Sequence, residues 1–211
     1  MVRQERAIRT RRTILEAAGA VFDEYGYAST TIAMVMERAD VTKGALYFHF
    51  PSKESLARAV LAEQPPLGDV PSQPCKLQEM VDVTFVLGQW LLADPLVKGG
   101  VRLAVDQCAP QSVAYAGLFR RWTDRLTELL QRAEEQGELL PSVVPRDTVE
   151  TLVGSFAGLQ LMSRALTDRA DLAHRISVLW SHVLPSIAVP GLLPRIDTSP
   201  ERAPRIMTNL T

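Results

Sequence analysis

The sequence predicts an all-α protein in two parts, an N-terminal helix-turn-helix unit and a C-terminal helical bundle. Three observations predict it. Apolar residues recur at spacings of three and four along most of the 211 residues. No stretch shows the apolar–polar alternation of a strand. Four prolines crowd into residues 64–74, where no helix can continue. That run separates a domain at 1–64 from one at 76–190 and leaves 191–211 as a tail.

Each element has its own signal. Leu15, Ala18, Phe22 and Tyr25 give the first helix one apolar face, and Gly26 is its natural stop. Ser29, Thr30 and Thr31 offer N-cap oxygens for a second helix over 32–38. A turn at Ala39-Asp40 leads to a third helix over 42–49. A fourth begins around Pro51-Ser52-Lys53-Glu54 and turns Leu56, Ala59, Val60 and Leu61 inward. Past the proline run, 77–93 is helical and ends before Pro95. Residues 95–107 form the next helix. A long one over 111–136 carries Leu118, Trp122, Leu126, Leu129 and Ala133 on one stripe, with Gly137 as its stop. Two more span 146–166 and 170–188. The segment after Pro190 has few apolar residues and is expected to be loosely held.

Hydrophobic residues make up 46% of the chain and charged residues 22%, an ordinary globular composition that excludes a disordered chain. The most apolar helical stretch, 149–166, is broken by Glu150, Gln160 and Arg164, short of the roughly 20 apolar residues of a membrane span. The charged start, Arg3-Gln4-Glu5-Arg6, is no signal peptide. A cytoplasmic protein without membrane association is expected. Cys75 and Cys108 form no CxxC pair and read as inert thiols of a reducing compartment. His49, His174 and His182 lack ligand spacing, so neither a metal nor another cofactor is expected. GxSxG, HExxH, Walker A and GxGxxG are all missing. Glu134 and Glu135, being adjacent, point in different directions on their helix. The reading is that the chain is not an enzyme. Net charge is −1, unevenly placed: residues 1–60 hold nine Lys/Arg against seven Asp/Glu, and the first twelve hold five Arg. A basic end on an acidic body points to an anionic polymer.

Helix, short turn and second helix over 31–49 fit a helix-turn-helix, whose second helix enters the major groove of double-stranded DNA. Thr42 can cap that helix and present a hydroxyl. Lys43 can reach a phosphate or a guanine edge. Gly44 lets the backbone approach closely. Tyr47 and His49 place polar tips further along, and Thr31 at the start of the supporting helix joins them. Lys53, at the start of the following helix, reads as a phosphate site. Leu46, Phe48 and Phe50 read as core. For Tyr47 packing is the lesser alternative. Arg3, Arg6 and Arg9 are either a solvated helix face or contacts to the DNA backbone or minor groove.

Val41-Thr42-Lys43-Gly44-Ala45-Leu46-Tyr47-Phe48-His49-Phe50, followed by Ser52-Lys53-Glu54, resembles the TetR family of bacterial repressors. Arg3-Gln4-Glu5-Arg6-Ala7, Phe22-Asp23-Glu24-Tyr25-Gly26-Tyr27 and Leu61-Ala62-Glu63-Gln64 narrow the likeness to the γ-butyrolactone autoregulator receptors of antibiotic-producing actinobacteria. Asp94-Pro95 with Arg102-Leu103, Gly137-Glu138-Leu139-Leu140-Pro141, Phe156-Ala157-Gly158-Leu159-Gln160 and Leu184-Pro185-Ser186-Ile187 extend it to about residue 192. One departure lies in the turn, where many such proteins have Gly and this chain has Asp40. Asp tolerates a left-handed conformation, so the turn survives.

The second domain reads as a dimerisation and ligand-binding bundle. Residues 152–162 are apolar nearly all round, Gly154 and Gly158 permit close helix approach, and the last helix carries Ile176, Leu179, Trp180, Val183, Leu184 and Ile187. A homodimer through these last two helices accounts for the excess and suits a palindromic operator. The resemblance implies the same interface. Trp122 alone is equally core or pocket. The resemblance implies pocket, because a tryptophan in that region lies at the ligand in butyrolactone receptors. Phe85, Trp90, Val153, Phe156 and Gln160 are candidates for the same lining, and Gln64 for a polar contact near the domain junction. An apolar cavity with few polar groups suits a lactone with an alkyl tail. The implied function is a repressor of antibiotic and secondary-metabolite genes, released when a γ-butyrolactone favours a different separation of the two recognition helices, with 53–64 as lever. The alternative is a pseudo-receptor answering to an antibiotic or another small molecule.

Overall fold

Every regular element is helical in the computed structural model, which describes residues 2–65, 70–106 and 115–208, with the side chains at 2, 3, 115 and 116 left aside. The helices are α1 (Val2–Ser29), α2 (Ile32–Ala39), α3 (Lys43–His49), α4 (Lys53–Ala62), α5 (Lys76–Ala93), α6 (Pro95–Asp106), α7 (Tyr115–Glu135), α8 (Pro145–Thr167), α9 (Leu172–Ile187) and α10 (Arg202–Thr208), with a 3-10 turn at Pro190–Arg195. Gly26 (φ 72°) kinks α1 where a stop was expected, and Gly137 (φ 69°) follows the end of α7. Cys108 and residues 111–114 of the expected long helix lie outside the described residues.

The chain divides into two compact units, and the division departs from a simple cut at the proline run. Residues 93–118 belong with 1–65, and 66–92 with 119–211. The packing thus groups α6 with α1 rather than with the rest of the expected domain at 76–190, and among the described residues α1 and α6 are the most extensively packed pair of helices. Glycine makes this possible. A Cβ on Gly99 would overlap the Gly19 carbonyl, and one on Gly19 would overlap that of Pro95. The two backbones cross with no side chain between them.

In the first unit Ile14, Leu15, Ala18 and Phe22 of α1 meet the interior with Val35, Leu46, Phe50, Leu56 and Val60. Tyr25, placed on the apolar stripe from sequence, is exposed. Tyr27 beyond the kink stacks on Phe22 instead, ring centroids 6.1 Å apart. On α4 it is Ala57, not Ala59, that is fully buried.

In the second unit every residue of α5 from Leu77 to Gly88 is buried. Its N-terminus is capped from far along the chain: the Glu138 carboxylate accepts from the Lys76 N–H (2.9 Å) and the Leu77 N–H (2.8 Å). A carboxylate on the orphan N–H groups of a helix start is favourable both as hydrogen bond and against the dipole. The Trp180 indole N–H donates to Thr84 Oγ1 at 2.8 Å. The expected stripe on α7 is buried throughout.

The tail is not loose. Asp197 N–H donates to Gln78 Oε1 (2.7 Å), Arg202 Nη2 to the fully buried Asp82 (2.9 Å), and Ala203 and Ile206 are buried. Two apolar residues and one paired arginine dock a segment whose composition alone suggested otherwise.

Candidate functional site

The pair α2–α3 forms the reading head. Thr31 Oγ1 accepts from the Met34 N–H at 3.3 Å and caps α2 while remaining exposed. The turn closes at Asp40 (φ 50°, ψ 51°), whose N–H donates to the Glu37 carbonyl, while Val41 N–H reaches Met36 at 3.2 Å. This is the left-handed conformation that Asp tolerates. Thr42 Oγ1 then accepts from the Ala45 N–H at 3.3 Å and caps α3.

Thr42, Lys43, Gly44 and Tyr47 all face solvent, and nothing lies within 4 Å of where a Cβ on Gly44 would stand. Lys43 Nζ sits 5.9 Å from the Tyr47 ring centroid. His49 is half-buried, edge-on to Phe48 at 5.0 Å. The sequence reading placed Phe48 in the core with Leu46 and Phe50. Leu46 and Phe50 are buried, but Phe48 is 80% exposed. A seven-residue helix with one buried face has room for Leu46 but not for its second neighbour. Phe48 is thus a large apolar side chain beside Tyr47 on the exposed face of α3, and the aromatic run that suggested core concealed it.

On α1, no described side chain before Ile14 is buried, so the helix begins as an arm. Arg6 and Arg9 are exposed on it, and the Arg3 side chain lies outside the described residues. Lys53, expected to be a phosphate contact, is turned toward backbone carbonyls. Its ammonium donates to the carbonyls of Tyr27 (2.8 Å) and Thr30 (2.8 Å), with Ala28 at 3.4 Å. It also sits 4.4 Å from the Tyr27 ring centroid, and burial pulls its pKa below the usual lysine value.

Of the pocket candidates, Phe85, Trp122, Phe156 and Gln160 are buried in the second unit, with Trp90 and Val153 half-buried there. Phe119 stands edge-on to Trp122, centroids 5.9 Å apart. Gln64 is not grouped with them. It belongs to the first unit, where Nε2 donates to the carbonyls of Val60 (3.0 Å) and Leu96 (2.7 Å), tying α4 to α6. The side chain fits over Gly100, where a Cβ would overlap it.

α8 and α9 leave an apolar face uncovered. Leu161, Met162, Leu166 and Val178 are exposed, and a groove of about 620 Å³ runs past Gly154, Gly158, Leu159 and Leu179. Exposed apolar surface concentrated on one pair of helices marks an interaction surface. Among the described residues no cluster of three or more His, Cys, Asp or Glu could hold a metal ion. No single helix among them is long and apolar enough to cross a membrane.

Residues 14–60 match the profile of bacterial regulatory proteins of the tetR family, and 75–191 match the tetracyclin repressor-like C-terminal domain. The chain belongs to the TetR family. The regulator is 38% identical to the A-factor receptor protein of Streptomyces griseus, over 93% of this chain and 70% of that one. Among solved structures it resembles TylP, a TetR regulator from Streptomyces fradiae, at 45% identity and a TM-score of 0.85, covering 98% of this chain and 99% of that one. It also resembles an ArpA-like γ-butyrolactone receptor at 28% identity and a TM-score of 0.76, covering 95% and 98%. The helix-turn-helix is therefore the DNA-binding element of a transcriptional regulator.

Proposed function

We propose that this regulator is a cytoplasmic repressor that binds a palindromic operator as a homodimer and is released by a γ-butyrolactone-type signal, controlling antibiotic or secondary-metabolite genes. The observation that carries the DNA half is the exposed face of α3, where Thr42, Lys43, Gly44, Tyr47 and Phe48 stand together on a capped, rigidly backed helix. Arg6 and Arg9 on the α1 arm, with Arg3, add phosphate contacts, and the exposed Thr31 adds another. The uncovered face of α8 and α9 supports pairing of two copies, which sets two recognition helices about 34 Å apart, one turn of DNA.

The ligand half rests on the second unit and on what the relatives are. The A-factor receptor and the ArpA-like γ-butyrolactone receptor are receptor proteins by name. Trp122, Phe85 and Phe156 supply apolar surface and Gln160 a single buried polar group, a set suited to a lactone ring with an alkyl tail. The ligand acts only through its preference for one of two states of the dimer.

The test of the DNA half is fluorescence anisotropy on the DNA upstream of the regulator's own gene, at fixed salt. Lys43→Ala and Tyr47→Ala should each weaken operator binding by about tenfold or more, in line with the roughly 1–3 kcal/mol of a good base contact. Variants that fold and bind as the wild type does would remove the proposal.

A further inference from the structure

We infer that Lys53 serves operator recognition as a positioning residue: its ammonium pins the corner between α1 and α2 to the start of α4 and contacts no phosphate. The inference rests on the DNA-binding reading above and assigns this side chain a role within it. The geometry is that of a cap. The last carbonyls of a helix have no partner within the helix, and a cation at that end is favoured by the dipole as well. Here Tyr27 and Ala28 close α1, and Thr30 lies between the helices.

A lysine ammonium has three donors. Tyr27 O and Thr30 O take 2.8 Å bonds, and Ala28 O stands at 3.4 Å, while the Tyr27 ring covers the cation at 4.4 Å. The set is complete without an external anion. The fall in its pKa follows from the same burial.

What is pinned matters for reading DNA. Thr30 is buried, and its own hydroxyl donates to the Gly26 carbonyl at 2.6 Å, so the corner is closed on both sides. The next residue, Thr31, caps α2. On the other side the pin starts from a rigid base, because Ser52 and Ser55 form a reciprocal capping box at the start of α4. Lys53 therefore fixes where α2 begins relative to α4, and through α2 and the Asp40 turn it fixes α3. Lysine suits the task and arginine does not. A compact ammonium converges on several carbonyls, whereas a planar guanidinium fork matches a carboxylate or phosphate.

The experiment compares Lys53→Met and Lys53→Arg with the wild type in the full-length protein. Affinity for the operator and for a non-specific duplex is measured across a salt series. Amide exchange at Met34 and Val35, in the first turn of α2, is measured without DNA. Val60→Ala provides a control with a lowered Tm and no change in the corner. A positioning role predicts that both variants lose about tenfold or more in operator affinity, the scale of one lost charge-assisted bond. The salt slope stays that of the wild type, non-specific binding holds within about twofold, and exchange at Met34 and Val35 accelerates about tenfold. The control, matched for Tm, keeps its ratio of specific to non-specific binding. A phosphate contact predicts the opposite and overturns the inference: a slope shallower by about 0.9 per half-site, equal loss on both duplexes and rescue by arginine. Unchanged exchange in Lys53→Met overturns it as well. If the wild type shows no operator preference, the DNA-binding proposal falls, and the exchange arm alone decides whether Lys53 is a pin.

Discussion

Replacing Arg202 by Met removes a cation from a carboxylate with no access to water. Asp82 is fully buried on α5. It takes Arg202 Nη2 at 2.9 Å and a second bond from Arg202 Nε, with Gln78 Nε2 at 2.9 Å and Gln73 Nε2 at 3.0 Å. Breaking a buried pair from one side costs about 3–5 kcal/mol, because the remaining charge is stranded. The two glutamine donors stay, and the Arg202 side chain is 19% exposed, so the lower end applies, about 3 kcal/mol. In a unit of this size about 4 °C of Tm follows each kcal/mol, which gives a fall of about 12 °C. The assay is intrinsic fluorescence. Trp90, Trp122 and Trp180 are the only tryptophans, and all lie in the second unit, so the melt reports on that unit alone. Arg205→Met is the control. Arg205 is 63% exposed and 3.5 Å from Asp197, a surface pair worth about 0.5 kcal/mol or less. Asp82→Asn added to Arg202→Met removes the stranded charge and should recover part of the loss. An Arg202→Met melt within about 2 °C of Arg205→Met would refute the reasoning, showing that the C-terminal segment is not docked through this pair.

Three further outcomes follow from the same geometry. Gly99→Ala drives a methyl into the Gly19 carbonyl, so it should cost the first unit about 1–3 kcal/mol or more and weaken operator binding, seen as an early far-UV CD transition while the tryptophan melt holds. Phe48→Ala should leave Tm nearly unchanged, within about 0.5 kcal/mol, because the ring is exposed, yet lower operator affinity. Operators with thymine replaced by uracil should show which methyl the ring meets, and no loss on any of them would remove Phe48 from the interface. Acid should destabilise the second unit. Burial raises the Glu79 carboxyl, but the Gln73 N–H, Lys76 and Ser72 more than offset this, so its pKa falls below 4.5; hydrogen bonds from Arg175, Ser163 and Thr167 hold Asp171 well below its usual 3.8. The unfolded chain then binds protons first, so this stability is complete above about pH 4.5 and is lost as pH falls through the lower folded values. A tryptophan-monitored Tm equal at pH 5 and pH 3 would contradict it.

Much of the architecture was legible because helices report themselves through local signals. The α7 stripe, the caps at Thr31 and Thr42, the left-handed Asp40 and the stop at Gly137 all depend on residues within a turn of each other. What escaped depends on distant partners. Arg202 and Asp82 are 120 residues apart, so the docked tail had no local trace. The assignment of α6 to the first unit turned on Gly19 and Gly99, whose meaning appears only once the helices cross. The placements of Lys53 and Phe48 escaped for a subtler reason. Their residue types fitted the assigned roles, and only placement showed that one side chain turns inward to carbonyls and the other outward to solvent. Gln64 likewise offered a polar group of the right kind, and its use between Val60 and Leu96 could not be read from spacing.

The central claim is a repressor that a lactone releases from DNA. Its most direct test is anisotropy of the full-length regulator on its own upstream DNA at one stated salt concentration, titrated with a panel of γ-butyrolactones of different chain length. The account predicts tight binding reversed by one member of the panel, with Trp122→Ala abolishing the release while leaving the DNA affinity intact. Tight binding untouched by every lactone would contradict the ligand assignment and favour a pseudo-receptor answering to another small molecule.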